Sequence, residues 1–159
     1  MGKSCIRREM SCMSDEICLI DTNILVYAYD ESEGKKHEIC KRLIDECWRL
    51  REKYSISIQN LSEFYVVITK KVEKPVPMET AKEILGDIIE FQNWIVMDYD
   101  ARAILSAIEI NMMYEVHYWD ALIAATMREN NIFYVYTEDG DFESIPWLKV
   151  INPFEGEEG

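Results

Sequence analysis

The chain has 159 residues, 48% hydrophobic and 30% charged, the composition of one soluble globular domain long enough to bury a core. Its longest unbroken apolar run, residues 24–29, is far short of the roughly 20 residues of a membrane span, and no apolar core of a signal peptide interrupts the charged first 16 residues. No membrane partner is expected, and a cytoplasmic location is. The net charge of −13 is unevenly spread: residues 1–74 carry 13 basic and 13 acidic side chains, residues 75–159 carry 4 and 17, so a nucleic-acid partner is not excluded.

Residues 1–15 show no periodicity and read as a poorly ordered arm, in which Met1, Met10 and Met13 are alternative starts. A strand is predicted over 16–20, followed by a helix carrying Ile24, Leu25, Val26 and Tyr27. A helix over 35–52 places Cys40, Leu43, Ile44, Cys47 and Leu50 on one buried stripe. Its two cysteines stand ~10 Å apart, too far for a disulfide. Five cysteines without a CxxC pair read as packing residues. A strand over 54–58 leads to a helix from Asn60 to Lys71, stopped before Pro75 and Pro77. Next come a helix over 78–90, a strand over 94–98, and a helix capped by Asp100 with Ala101, Ile104, Leu105 and Ile108 as its apolar stripe. A helix from Tyr118 to 130–131 and strands over 132–136 and 148–151 complete the pattern, before an acidic tail at 155–159. Strands alternating with helices imply an α/β fold of three layers, α/β/α, around a central, mainly parallel sheet.

Acidic residues recur where strands end or helices begin: Asp21, Glu63, Asp120 and Asp139. Ligands of open α/β sheets bind at the carboxyl ends of the strands, and carboxylates gathered there suit a hard divalent cation. Each also has a plainer local reading. Asp21 fits a helix N-cap, Asn60-x-x-Glu63 a capping box, and Asp120 a first helical turn, while Asp139 and Asp141 flank Gly140 as turn residues. His37 and His117 show no zinc spacing, so no chemistry is assigned to them. Trp48, Trp94, Trp119 and Trp147 read as packing residues rather than a base-stacking platform.

Asp21-Thr22-Asn23, Asn60-x-x-Glu63-Phe64, Trp119-Asp120-Ala121-Leu122-Ile123 and Tyr136-Thr137-Glu138-Asp139-Gly140-Asp141-Phe142 together resemble the successive motifs of the PIN domain. The closest likeness is to the VapC-type ribonuclease toxins of prokaryotic toxin–antitoxin pairs, and it covers about residues 16–154. The resemblance implies a Mg²⁺- or Mn²⁺-dependent endoribonuclease, homodimeric, acting on RNA and held by a cognate VapB-like antitoxin. It implies catalytic roles for Asp21, Glu63, Asp120 and Asp139, with metal contact through Asp21, Asp120 and Asp139. Thr22, Asn23 and Thr137 become supporting residues, and Asp141 competes with Asp139 for the fourth acidic position. A metal held there would lower the pKa of a bound water and neutralise the scissile phosphate. The homodimer is expected to pair through the basic helical half, Lys35 to Lys74, and a partner is expected to insert Arg or Lys into the acidic cleft. Alternatives are a housekeeping RNA-processing nuclease and a catalytically silent binding module. A phosphotransfer domain of receiver or haloacid-dehalogenase type fits less well, because Asp21 is followed by Thr-Asn rather than x-Asp.

Overall fold

The computed structural model describes residues 16–155. The expected N-terminal arm and all but the first residue of the acidic tail lie outside that span. Five short strands form one sheet: β1 (Cys18–Ile20), β2 (Tyr54–Ser57), β3 (Trp94–Met97), β4 (Tyr134–Tyr136) and β5 (Lys149–Ile151). Their spatial order is β3-β2-β1-β4-β5, and every neighbouring pair is parallel. Six α-helices connect them: α1 (Thr22–Tyr29), α2 (Lys35–Trp48), α3 (Ile58–Lys70), α4 (Met78–Glu90), α5 (Ala101–Tyr114) and α6 (Tyr118–Glu129). The α/β/α expectation holds.

Successive strand residues point to opposite faces, and the core divides accordingly. Cys18, Ile20, Tyr54, Ile56 and Tyr136 face a layer made by α1 to α4, with Ile24, Leu25, Cys40, Ile44, Phe64 and Ile68 packed beneath. Leu19, Val135 and Met97 face the other way, onto α5 and α6. Both faces are covered, which explains why the strands read as apolar runs rather than alternating ones.

Three local differences from the sequence reading have physical causes. Helix α2 stops at Trp48, and Leu50 adopts a left-handed backbone (φ 64°) that leaves it exposed instead of extending the stripe. Helix α3 starts at Ile58, not Asn60, because Ser57 is its N-cap and closes a capping box with Asn60. The stripe assigned to α5 is also inverted. The helix buries Ala103, Ala107 and Ile110, while Ala101, Ile104, Leu105 and Ile108 lie on its exposed side. The small residues let α5 approach Ala121, Ala124 and Ala125 of α6, all in the same core cluster. Among the cysteines, Cys40 and Cys47 are free and buried, as expected, whereas Cys18 is disulfide-bonded.

Candidate active site at the switch between β1 and β4

The chain steps from β1 outward to β2 and β3, then returns to lay β4 against the other side of β1. A crevice therefore opens at the carboxyl ends of β1 and β4, where the direction of progression reverses. Asp21 is the first residue after β1 and Thr137 the first after β4. The two strands are zipped up to this point, with the Asp21 amide donating to the Tyr136 carbonyl at 3.1 Å.

Asp21 is 7% exposed and sits in a ring of donors. Its Oδ1 accepts from the Thr22 amide (2.9 Å) and from Asn60 Nδ2 (3.2 Å). Its Oδ2 accepts from Thr137 Oγ1 (2.8 Å) and, more loosely, from Asn23 Nδ2 (3.4 Å). Asp21 is thus an N-cap and a site carboxylate at once. Burial nevertheless pushes its carboxyl up to about 6, with the Glu63 and Asp139 charges adding to the rise and the Thr137 and Thr22 hydrogen bonds opposing it.

Glu63 lies one and a half turns into α3, so the capping-box reading of this residue is wrong. Its Oε2 accepts from Thr22 Oγ1 (3.0 Å) and its Oε1 from Gln59 Nε2 (3.1 Å). The link to Asp21 runs through Asn60, whose Nδ2 also donates to Thr22 Oγ1 (2.9 Å). Asn60 is fully buried, and its Oδ1 is taken by the Ser57 amide and hydroxyl (3.2 and 2.7 Å). Every polar valence of its side chain is used. Sequence reading treated Asn60 only as a cap; the signal for more was the preceding Ser57, which already supplies one.

Asp120 is carried in the first turn of α6, half-buried. No hydrogen bond reaches its carboxylate among the described residues. Burial first, then the charges of Asp139, Asp21 and Asp141, push it up to about 6, with His117 opposing. Asp139 caps the short 3₁₀ turn Gly140–Ser144 through the Asp141 amide (2.9 Å), and its own amide donates to Thr137 Oγ1 (3.0 Å). Thr137 Oγ1 also accepts from Asn23 Nδ2 (3.2 Å), so this one buried hydroxyl ties β4, α1 and the 139 loop together.

The structure therefore brings Asp21, Asp120 and Asp139 within electrostatic reach of one another, and Glu63 within reach of Asp21, with Thr22, Asn23 and Thr137 among them. Asp139 bears on both Asp21 and Asp120, whereas Asp141 bears on Asp120 from the exposed rim. His117, given no role from sequence, stands with its Nδ1 3.9 Å from Asp141 Oδ2. One ligand atom each from His117, Asp120 and Asp141 lies within 4.8 Å of the others, a second grouping that shares Asp120 with the first. Among the described residues it is the one group of three whose ligand atoms come this close; Asp21 and Asp139 couple to Asp120 through charge without entering it.

The donor set fits a hard divalent cation. It is rich in carboxylate oxygen, two of its carboxyls resist ionisation without a counter-charge, and Asn23 Oδ1 is a buried oxygen with no partner among the described residues. Next to the site, Glu138 accepts from the Tyr27 hydroxyl and from Lys36 Nζ (2.9 Å), which fastens the 137–141 segment to α1 and α2. Tyr27, open between core and interface roles in the sequence reading, also meets Phe154 edge to face, the ring centroids 5.7 Å apart. Trp48, Trp94 and Trp147 each pack against another ring, as expected, but Trp119 is 61% exposed.

Solved structures share this architecture. Mycobacterium tuberculosis VapC20, described as a sarcin-ricin loop cleaving toxin, superposes with a TM-score of 0.65 at 19% identity, over 85% of this chain and 99% of its own. A toxin–antitoxin complex from Klebsiella pneumoniae gives 0.59 at 19% identity, over 87% and 98%. VapBC2 from Rickettsia felis, bound to a DNA fragment from its promoter, gives 0.58 at 22% identity, over 84% and 96%. At such identities the likeness establishes the fold. No curated protein matches the sequence. The family model of the PIN domain matches residues 18–148, a span that covers most of the chain and includes the four acidic residues, and the protein belongs to the PIN domain family.

Proposed function

We propose that this protein is a Mg²⁺- or Mn²⁺-dependent endoribonuclease and the toxin of a VapBC-type pair, its PIN domain occupying residues 16–154. The observation that carries the reading is the convergence of Asp21, Glu63, Asp120 and Asp139 at the β1/β4 switch, with two of the carboxyls held up to about 6 by burial and mutual repulsion. The family and the toxin–antitoxin character of similar structures support it.

Asp21, Asp120 and Asp139 would hold the cation. When bound, it supplies a water of lowered pKa and offsets the charge of the scissile phosphate. The protein's own part is orientation and proton handling. Thr22, Asn60 and Thr137 fix Asp21 and Glu63 by hydrogen bonds that persist without a ligand. Glu63, the exposed member, is placed to accept a proton from the attacking water. Asp141 and His117 act at the rim. The partner is an antitoxin that lays a cationic side chain into the carboxylate cluster, where Arg pairs with two oxygens at once. No described helix is long and apolar enough to cross a membrane, and the cytoplasmic location expected of such a toxin belongs to the same proposal.

The homodimer belongs to this reading too, but its seam moves. Leu105 (65% exposed), Met112 (75%) and Met113 form an apolar face on α5 that this copy leaves uncovered, which favours that face over the basic half from Lys35 to Lys74. Leu105→Glu combined with Met112→Glu is expected to convert a dimer into a folded monomer by light scattering; an unchanged mass places the seam elsewhere.

Purified protein supplied with Mn²⁺ should cleave structured RNA, stop on addition of EDTA, and arrest growth on expression unless the neighbouring reading frame is co-expressed. A folded, metal-supplied protein that cuts no RNA would refute the nuclease reading.

A further inference from the structure

Beside the carboxylates lies a cleft of about 420 Å³ lined by Ile58, Gln59, Ser62, Glu63, Tyr99 and Trp119. Three observations define what it takes. Trp119 is large, apolar and exposed, yet held in place: its carbonyl accepts from Gln59 Nε2 at 3.0 Å, and its ring meets Tyr118 edge to face at 5.1 Å. Gln59 Nε2 also donates to Glu63 Oε1. Two acceptors on that nitrogen fix the amide orientation and leave Gln59 Oε1 buried with no partner among the described residues. Glu63 belongs to both the cleft and the carboxylate cluster, so whatever fills the cleft sits next to the reacting centre.

The exposed Trp119 indole, a second aromatic in Tyr99 and an unpaired buried carbonyl on the lining residue Gln59 suit an unpaired nucleobase. The base edge supplies an amino or imino N–H to Gln59 Oε1, and the ring stacks on Trp119. The Glu63 charge disfavours a phosphate here, so the base rather than the backbone enters. An aliphatic side chain from a protein partner would leave Gln59 Oε1 unpaired.

We propose that this cleft is a nucleobase subsite, in which an unpaired base flanking the scissile phosphodiester stacks on Trp119 and is read by Gln59. The proposal deepens the ribonuclease reading and rests on it.

The test uses the full chain, its Trp119→Ala and Trp119→Phe variants, and a short fluorescein-labelled single-stranded oligoribonucleotide of mixed sequence. Anisotropy in EDTA measures binding without turnover. Trp119→Ala should weaken it about 5- to 150-fold, the range for one lost base–aromatic stack, while Trp119→Phe keeps most of it. With Mn²⁺, the cut is mapped and each nearby nucleotide is replaced in turn by an abasic one. One position should cost the parent as much kcat/KM as Trp119→Ala does on intact RNA, and Trp119→Ala should lose nothing further on that abasic strand. An equal effect of Trp119→Ala at every abasic position, or unchanged binding in EDTA, overturns the subsite. Absence of cleavage by the parent strikes the ribonuclease reading instead, and the EDTA titration still decides the cleft. If Trp119→Ala leaves RNA affinity intact but loosens a co-expressed polypeptide partner, the cleft docks protein and the proposal is wrong.

Discussion

Asp120→Asn is expected to raise the melting temperature of the metal-free protein at pH 7 and to abolish its response to Mn²⁺. Burial and the charges of Asp139, Asp21 and Asp141 hold the Asp120 carboxyl up to about 6, above its value in an unfolded chain. A carboxylate shifted this way favours the folded state while protonated. That contribution is complete below pH 4 and is lost as the pH rises through about 6. The stability difference between variant and parent in EDTA should therefore be near zero at pH 4 and grow to about 1–2 kcal/mol at pH 7, discounted for the half-exposure of the group. Asp21, more deeply buried and shifted in the same sense, keeps a pH dependence in both proteins. Metal reverses the order: the parent should gain ~2.7 kcal/mol at a hundredfold excess over Kd, and the variant little. RNA cleavage should fall at least about a hundredfold, the upper end for loss of a supporting group at a metal site. Were Asp120 only a favourable charge in the first turn of α6, the amide would cost a few tenths of a kcal/mol and leave cleavage and the Mn²⁺ response intact.

Asn60→Ala should cost more stability than any of the acidic substitutions. The side chain is fully enclosed, and its removal strips donors from Asp21 and Thr22 and the acceptor from Ser57. Three buried groups lose partners together, which places the loss at about 2–4 kcal/mol by denaturant unfolding. Ser57→Ala, which removes only the capping hydroxyl, should cost about 0.5–2 kcal/mol. The two also differ in cation affinity. Asn60→Ala frees Asp21 and the Thr22–Glu63 link to wander and should weaken Mn²⁺ binding about 10- to 100-fold, whereas Ser57→Ala should leave it nearly unchanged. Equal effects of the two on the Mn²⁺ isotherm would reduce Asn60 to a cap.

Asp21 and Asp139 were legible because each follows a change of hydrophobic period, from the apolar runs of β1 and β4 to the spacing of a helix or turn. What escaped had local causes. Ile58 is apolar and follows four strand residues, so it reads as a fifth and hides the start of α3; that displaced the cap from Ser57 to Asn60 and made Glu63 look like a capping residue. In α5, apolar residues occur nearly all round the helix, so periodicity alone did not choose between the alanine face and the isoleucine–leucine face. Packing against the alanines of α6 chose the small side chains, a decision made between helices and invisible within one. His117 and Trp119 were passed over because their surroundings come from Asp141 and from Gln59, far away in sequence.

The hydrogen bond from Thr137 to Asp21 spans 116 positions of chain. On a ribosome, Asp21 emerges long before its partner: at 5–20 residues per second, roughly 6–23 s pass before Thr137 is even polymerised. Throughout that interval β1 has no β4 beside it, the crevice has one wall, and Asp139 does not exist. On the ribonuclease reading proposed above, a nascent copy is unable to cut the message that encodes it. The order in which the strands are laid down postpones completion of the site until the chain is almost finished.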